Sequence, residues 1–439
     1  MSKMAALLPA PLSGKFTGSF AYDTLKDRLP TILTKVIDTL HRHKNEFFEE
    51  YGEKGIEAEK KAIAYLSKLR NELQTDKPLI ALNDNLFDTT LWNQHLEYHQ
   101  SISNEPPSWF QSPWLYTECY MYRRIHEALV LNPPISDFDV FKEEKINGFF
   151  ESQQAIIVLS TYLQELLKNI ADLGEKRLQE EFLKLLQVSL WGNKCDLSIS
   201  GGKANSQKSD PLQSLQELKS FILVDHTEKI WSLLSNKKKN AQITRIDIVL
   251  DNAGFELTAD FILAEFLISS KLATEIHFHG KSIPWYVSDT TKQDFNWIIK
   301  QMQSSNHKWM SKCGASWEGN LKKGVWVYND HFFWTSPHEY SSMDKVASDL
   351  YTELQKSNLI IFKGDLNYRK LTGDRKWEFT VPFHQALNNF HPAPLCSLRT
   401  LKCDIQVGLK PGQGEQFMTT EPEWMLIGKY GVIQFDAAS

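Results

Sequence analysis

The sequence predicts an α/β protein in which a helical N-terminal region precedes a mostly parallel β-sheet covered by helices. Two observations lead to this prediction. Apolar residues recur at helical spacing from about residue 22 to 185, whereas beyond residue 220 short β-branched or aromatic runs alternate with helical segments. Such alternation is typical of sheets with helices on their faces. Because 439 residues exceed what one core usually organises, we divide the chain into residues 1–185 and 186–439.

The N-terminal region contains four segments in which apolar spacing predicts helices. They lie within residues 29–51, 56–74, 103–129 and 155–173. Prolines near the start of the third segment mark a loop before an aromatic-rich helix. So many aromatic side chains predict that this helix is buried against another layer of the protein.

The stretch near residues 198–220 is rich in Gly, Ser, Asn and Lys, which is the composition of a mobile surface loop. Its SGG sequence does not match a phosphate-binding glycine loop, so a disordered loop is the preferred interpretation. Asn193 and Asp196 precede it, and we expect them to cap the next element rather than to line a cleft.

Six short runs after this loop predict the strands of the sheet. They cover residues 221–225, 244–252, 274–280, 283–289, 359–365 and 398–408. After the second run, a strand ends at Asp251 and an amphipathic helix begins within a few residues. Ligands of open α/β sheets bind at the carboxyl ends of strands, so polar residues at these ends are the first place to look for a site.

Composition argues against several classes of function. The net charge of −5 is too small to attract nucleic acid, so no direct nucleic-acid binding is predicted. The five cysteines form no CxxC pair, which indicates neither a disulfide framework nor a zinc site and favours a reducing compartment. No secretory leader or membrane-length apolar run is recognised, so we expect a cytoplasmic protein, with the nucleus also open, and no membrane partner.

Asp251, Asn252 and Asp289 follow predicted strands and together offer two carboxylates and one amide oxygen. These are hard ligands that suit Mg²⁺ or Mn²⁺, and three of them leave positions open for water. Such an ion would neutralise phosphoryl oxygens and lower the pKa of a bound water. A turn or helix N-cap explains Asp-Asn after a strand equally well. Glu256 falls in the first turn of the following helix, where the helix dipole alone accounts for a carboxylate.

The segment KGDLNYRK at 363–370 follows another predicted strand and is dense in charges of both signs. Its polar side chains could hold a polyhydroxylated anionic substrate: Lys363, Asp365, Asn367 and Arg369. A solvated charged loop is the alternative. In the RTLK segment, Lys402 is a possible phosphate anchor, although a solvated strand lysine explains it as well.

Histidines give weaker signals. The pair His277 and His279 and the single His384 are possible acid-base groups, but histidines beside apolar residues are more often structural. No GxSxG elbow or HExxH helix is present, which argues against a serine hydrolase and a zinc protease.

The LDN, VSD, GDLNYRKL and RTLK segments, in this order, resemble the damage-control phosphatase family, in the subgroup marked by an R-T-x-K signature. The similarity extends over almost the whole chain and includes SFAYDTLKDRLP and KVIDTLHRHK near the N-terminus. It implies a three-layer α/β/α domain preceded by the helical region. It also implies a metal-dependent phosphatase that acts on sugar phosphates such as fructose 1-phosphate and fructose 6-phosphate.

The resemblance further assigns roles to individual residues. Asp251, Asn252 and Asp289 would be catalytic and would hold the metal, which is manganese, nickel, cobalt or magnesium in related proteins. Substrate contacts would come from Asp251, Asn252, Asp365, Leu366, Asn367, Tyr368, Arg369 and Lys402.

A second activity is also implied by the resemblance: S-adenosylmethionine-dependent methyl transfer to protein glutamates, including those of the replication clamp in the DNA damage response. Glu256 and Asp289 would then contact the cofactor. The residues support this less well, because no glycine-rich turn follows a strand where a nucleoside would pack. A non-catalytic interaction protein is a third hypothesis, but it leaves the strand-end oxygen ligands unexplained.

Overall fold

The fold is taken from a computed structural model that describes residues 8–192, 211–212, 215–240 and 242–438. Asn193, Asp196 and most of the predicted loop near 198–220 lie outside these residues. The last part of that loop forms a short helix, Leu215–Leu218, followed by a 3₁₀ turn, Lys219–Phe221.

Nine α-helices lie within residues 8–192. They are α1 Phe20–Asp23, α2 Leu29–Arg42, α3 Lys44–Tyr51, α4 Glu53–Gln74, α5 Thr89–Ile102, α6 Trp114–Val130, α7 Lys142–Glu151, α8 Gln153–Leu167 and α9 Glu175–Gly192. A π-helical turn, Thr24–Arg28, joins the first two. Among the described helices, none combines the length and apolar character needed to cross a membrane.

The sheet has seven strands in the order β1-β7-β6-β5-β2-β3-β4. Their bounds are β1 Ile222–Asp225, β2 Arg245–Val249, β3 Glu275–Gly280, β4 Trp326–Asp330, β5 Leu359–Lys363, β6 Leu395–Thr400 and β7 Gly431–Asp436. The five neighbouring strands β6, β5, β2, β3 and β4 are parallel to one another. Strand β7 runs antiparallel to β6 and parallel to β1.

The short helix α10, Leu215–Leu218, lies before β1, and the helices between the strands complete the layers. These helices are α11 Thr227–Lys239, α12 Phe255–Ser269, α13 Lys292–Gln303, α14 Lys308–Lys322, α15 Met343–Val346, α16 Ser348–Leu354, α17 Gly364–Thr372, α18 Phe383–Ala386 and α19 Gln413–Thr420.

Alternate strand residues enter two separate hydrophobic cores. In β5, Ile360 and Phe362 join the core shared with α2, α4 and α6, whereas Leu359 and Ile361 join the core shared with α9 and α12. This division follows from the two-residue period of a strand, whose neighbouring side chains point to opposite faces. Helices therefore cover both faces, which confirms the predicted three-layer α/β/α fold and the helical N-terminal region.

The prediction of a strand at 283–289 is wrong. These residues form a loop in which Tyr286 and Val287 have positive φ angles of 44° and 68°. Their apolar side chains pack against the N-terminal helices instead, and the Tyr286 ring stacks on Tyr122 of α6 at 4.5 Å between centroids. The apolar run therefore reflects burial against a helix, which a short sequence cannot distinguish from burial in a sheet. The strands β4 and β7 were not predicted.

The predicted division between residues 185 and 186 falls inside α9. Residues on both sides of it, among them Leu185, Leu186 and Leu190, pack in the core shared with α12. The last helices of the N-terminal half thus form part of one layer of the α/β domain, and the boundary stays a prediction.

Candidate active site

Three neighbouring parallel strands bring the predicted polar segments to one edge of the sheet. Asp251 lies two residues past β2, Asp365 two past β5 and Lys402 two past β6. These strands are adjacent and parallel, so their carboxyl ends meet. Asp289 reaches the same edge from the loop after β3, where it forms a backbone bridge with Asn252.

A small enclosed cavity lies at this edge. Six predicted residues line it: Asp251, Asp289, Asp365, Leu366, Arg369 and Lys402. Four further residues complete its wall: Phe20, Arg28, Trp114 and Tyr286. Its volume of about 20 Å³ is room for roughly one water molecule or one ion. The cavity combines three carboxylates with three cationic side chains drawn from both halves of the chain.

The carboxylate of Asp251 lies against the backbone at the start of α17. Asp251 is buried, and Asn252 Nδ2 donates a hydrogen bond to its Oδ2 at 3.0 Å. Gly364 has a φ of 81°, and a Cβ on it would lie 1.9 Å from Asp251 Oδ2. Glycine is therefore required both for the backbone conformation and for the space that the carboxylate fills.

Asp289 is buried next to a lysine. Lys281 Nζ lies 3.0 Å from Asp289 Oδ2 and donates to the carbonyl of Leu250 at 3.0 Å. The loop is tied to β2 because the N–H of Thr290 donates to the carbonyl of Asp251 at 2.8 Å. The cation offsets part of the cost of burying a second carboxylate beside Asp251.

Glu118 of α6 joins two arginines on the other side of the cavity. Its carboxylate accepts from Arg28 Nη2 at 2.5 Å and from Arg369 Nη1 at 2.6 Å. Arg369 also donates twice to Asp374, at 3.0 Å each, and lies 3.7 Å from the Trp114 ring centroid. Burial lowers the pKa of Arg369, but Asp374 and Glu118 outweigh it and raise that pKa well above the usual value. Arg369 therefore stays charged.

Both arginines keep hydrogen-bond donors for an anion. A guanidinium has five N–H groups, and Arg369 uses three of them in the bonds above. The buried Nε of Arg28 has no hydrogen-bond partner in the described part of the chain. Asp365 is fixed by Arg399 Nε at 2.7 Å and by the backbone N–H of Lys402 at 3.3 Å. The cavity is thus suited to an anionic group beside a carboxylate cluster.

Comparison with known proteins identifies the family. The sequence model described as Damage-control phosphatase ARMT1-like domain matches residues 24–417. The chain belongs to this family. Two proteins named Damage-control phosphatase ARMT1, from Macaca fascicularis and Homo sapiens, are 67% and 66% identical to it over 437 residues, which is 98% of this chain and 99% of each relative. A solved duf89 family protein from Pyrococcus horikoshii aligns at 14% identity with a TM-score of 0.38, covering 74% of this chain and 86% of that one.

Membership of the damage-control phosphatases confirms two predictions made from the LDN, VSD, GDLNYRKL and RTLK segments. The family is the predicted one, and the protein is a phosphatase, a hydrolase of phosphate esters. In the structure, each of these segments supplies at least one residue to the cavity.

Two residues predicted to contact substrate support the phosphatase cavity from outside. Asn367 Nδ2 donates to the carbonyl of Lys363 at 2.7 Å, and its Oδ1 accepts from the Tyr340 hydroxyl. The Tyr368 hydroxyl donates to Gln434 Oε1 at 2.8 Å. Both side chains are fully buried and neither lines the cavity. Their contact with substrate stays a prediction.

Asn252 and Glu256 form a polar network next to the cavity. Asn252 Nδ2 donates to Glu256 Oε2 at 2.8 Å, and Asn252 Oδ1 accepts from the Ser288 hydroxyl at 2.6 Å. Lys363 lies 3.2 Å from Glu256 Oε1 and 2.8 Å from Asp260 Oδ1. Burial raises the pKa of Asp260 to about 6, although Lys363 acts against it. Lys363 therefore balances buried carboxylates and does not line the cavity.

The histidines of β3 are also away from the cavity. His279 Nε2 lies 2.7 Å from Asp247 Oδ1, and His277 Nε2 lies 3.9 Å from Glu275 Oε1. Both pairs are within the sheet, which agrees with the structural interpretation of these histidines.

Sequence reasoning did not identify Phe20, Arg28, Trp114 and Glu118 as parts of the site. The available signal was Glu118, a charged residue on an aromatic-rich helix that is buried on most sides and also carries Arg123, Arg124 and Glu127. A buried charge requires a partner, but its partners are 90 and 251 residues away in sequence. No local sequence pattern predicts ion pairs between residues so far apart in the chain.

A wide cleft lies elsewhere in the described part of the protein. It has a volume of about 1010 Å³ and is lined by α5 residues such as His95 and His99 together with the segment around His338. None of the residues predicted to bind metal or substrate lines it. The charged groups that could bind a metal and a phosphate converge instead in the small cavity.

We expect Glu118→Gln to raise KM for a phosphorylated substrate about 10- to 100-fold. The change weakens two charge-assisted hydrogen bonds, each contributing about 1.5–3 kcal/mol, that orient Arg28 and Arg369. Steady-state phosphate release measures the effect. The matched control is Glu127→Gln on the same helix, because Glu127 is equally buried and pairs with Arg124 at 3.1 Å, away from the cavity. Equal KM changes in both variants would contradict a positioning role for Glu118.

Proposed function

We propose that this damage-control phosphatase hydrolyses sugar phosphates such as fructose 1-phosphate and fructose 6-phosphate with a divalent metal ion. One observation carries the proposal: Asp251, Asp289 and Asp365 line the same cavity as Arg28, Arg369 and Lys402. The carboxylates suit a metal, and the cations suit a phosphoryl group.

The residues at the carboxylate side fit a hard or borderline divalent ion. Asp251 and Asp289 would supply carboxylate oxygens and Asn252 an amide oxygen, a donor set compatible with Mn²⁺, Ni²⁺, Co²⁺ or Mg²⁺. Both carboxylates are at most 3% exposed and face one cavity, where their mutual repulsion favours a bound cation. When bound, the metal would neutralise phosphoryl charge and lower the pKa of a water.

The chain's own residues would bind and orient the phosphoryl group. Arg369, Arg28 and Lys402 would donate to its oxygens, because all three side chains line the cavity. Glu118 holds both guanidinium groups in place, and Asp374 holds that of Arg369. An aspartate would position the attacking water. The alternative is direct attack by Asp251 to form an aspartyl-phosphate, and trapping a phosphoenzyme during turnover would exclude the direct-water route.

Substrate entry would require the cavity to enlarge. A space of about 20 Å³ does not hold a sugar phosphate. Phe20 and Arg28 of this wall belong to the N-terminal half and are only partly buried, and we infer that they move outward when substrate binds. The helical half would then act as the cover that excludes water during hydrolysis.

Methyl transfer to glutamates of the replication clamp has less support than phosphate hydrolysis. Glu256, which the S-adenosylmethionine hypothesis uses, is fully buried between Lys363 and Asn252 and does not line the cavity.

We also propose that the protein works in the cytoplasm or nucleus, and its four described cysteines, all buried thiols, agree with a reducing compartment.

The test is release of inorganic phosphate from a panel of sugar phosphates with Mn²⁺, Ni²⁺, Co²⁺, Mg²⁺ or a chelator. We expect metal-dependent release by the wild type, and loss of both activity and Mn²⁺ binding in Asp289→Ala. Asp139→Ala is the matched control, because Asp139 is also buried and paired with a lysine, Lys145 at 2.8 Å, outside the cavity. Turnover retained by Asp289→Ala would show that the ligand set is wrong.

A further inference from the structure

Two histidines and an aspartate converge at the edge of the sheet opposite the candidate active site. His384 Nδ1 lies 2.7 Å from Asp436 Oδ1, and His391 Nδ1 lies 2.8 Å from Asp436 Oδ2. One donor atom from each residue lies within 4.8 Å of the others. The cluster joins α18, the loop after it and the end of β7.

The position of Asp436 separates this cluster from the phosphatase cavity. Asp436 pairs with Leu395, the first residue of β6, whereas Lys402 of the cavity lies beyond Thr400, the last residue of that strand. At about 3.3 Å per residue, the length of β6 alone places roughly 17 Å between the two edges. The cluster therefore does not share ligands with the proposed catalytic metal.

Both imidazoles present Nδ1 to the same carboxylate, at 2.7 and 2.8 Å from the two oxygens of Asp436. Their rings are stacked, with an interplanar angle of 16° and 4.2 Å between centroids. No hydrogen bond joins either Nε2 to the described residues. Both rings share one carboxylate, that of Asp436, as their hydrogen-bond partner.

The donor set selects a class of metal. Two imidazole nitrogens and one carboxylate oxygen suit borderline divalent ions such as Zn²⁺, and three protein ligands leave a further position for water. The side chain of Asp436 is 8% exposed, while that of His384 is 52% exposed, so the set combines a buried anion with an opening to solvent. An ion can thus enter without unfolding the site.

We propose that His384, His391 and Asp436 form a second metal site that binds Zn²⁺ or a similar transition-metal ion and has a structural role. The ion takes the place of the protons that the two Nδ1 atoms share with Asp436. It fastens the segment before β6 to the last strand, near the C-terminal end of the chain. Because the ion binds the folded state, it stabilises that state by mass action.

The experiment is titration of the metal-free full-length protein with Zn²⁺ by calorimetry, followed by thermal unfolding with and without the ion. All proteins carry Asp251→Ala, which weakens the proposed catalytic metal site. We expect this protein to bind a single Zn²⁺ and to unfold at a higher temperature with it. Adding His384→Ala removes both effects, and adding Asp436→Asn weakens binding at least tenfold. His384 is half exposed, so its replacement does not threaten folding.

The matched control is His41→Ala in the same background, because His41 is an exposed histidine whose Nδ1 lies 3.4 Å from a buried carboxylate, that of Glu59. It should leave Zn²⁺ binding and the thermal shift unchanged. Equal Zn²⁺ binding by the His384→Ala and His41→Ala proteins, or no saturable binding in the Asp251→Ala protein, would overturn the proposal. Neither outcome bears on phosphate release by the wild type, which tests the phosphatase site separately.

Discussion

We expect Asp251→Asn to lower kcat/KM for a sugar phosphate by at least about 10³-fold. Asp251 is the carboxylate that links the proposed metal site to the backbone of α17, and the substitution removes its charge while keeping its shape. Unfolding should change little, because asparagine fills the same space beside Gly364. Phosphate release and Mn²⁺ binding measure the two consequences.

A suitable control for Asp251→Asn is Asp247→Asn on the same strand. Asp247 is buried and accepts two hydrogen bonds from Arg245 at 2.8 Å, but it lies inside the sheet and not at its carboxyl end. We expect this control to lose stability and to keep kcat/KM per folded molecule. If Asp251→Asn keeps near wild-type turnover with Mn²⁺ present, Asp251 neither holds the metal nor attacks the phosphorus.

Gly364→Ala should reduce both stability and activity. The left-handed backbone at φ 81° costs about 1–2 kcal/mol for alanine, and overpacking against the Asp251 carboxylate costs about 1–3 kcal/mol more. We therefore expect the free energy of unfolding to fall by about 2–5 kcal/mol, measured by denaturant titration. A carboxylate displaced by about 1 Å should also lower kcat/KM about 100-fold.

Gly412→Ala separates the cost of the left-handed backbone from the cost of overpacking against a neighbouring side chain. Gly412 has a φ of 80°, almost equal to that of Gly364, but a Cβ there would meet no atom within 4 Å. This control should show the backbone cost alone, with unchanged activity. If the two alanine variants lose equal stability and both keep activity, the close approach of Asp251 to α17 has no role in the site.

The fold was predictable where the sequence has a clear local pattern. The short continuous apolar run of β5 and the helical spacing of α2 and α4 predicted their elements, because burial leaves a trace in residue type and spacing. The segment at 283–289 was predicted as a strand because it is apolar, yet it is buried by α6 rather than paired in the sheet. An apolar segment indicates that its residues are buried, but it does not indicate whether a helix or a strand packs against them.

The sequence by itself determined the family, the α/β class and the candidate residues Asp251, Asp365 and Lys402 near strand ends, because residue type and position near a strand are local properties. Only the tertiary structure decided that Asp289 reaches the cavity from a loop, that Arg28 lines it, that Glu118 orients the two arginines, and that Asn367 and Tyr368 support it from outside. Glu118 and Arg369 are 251 residues apart and meet at 2.6 Å. Such a contact depends on the strand order and on how the N-terminal helices pack on the sheet, which are non-local consequences of burying two hydrophobic cores.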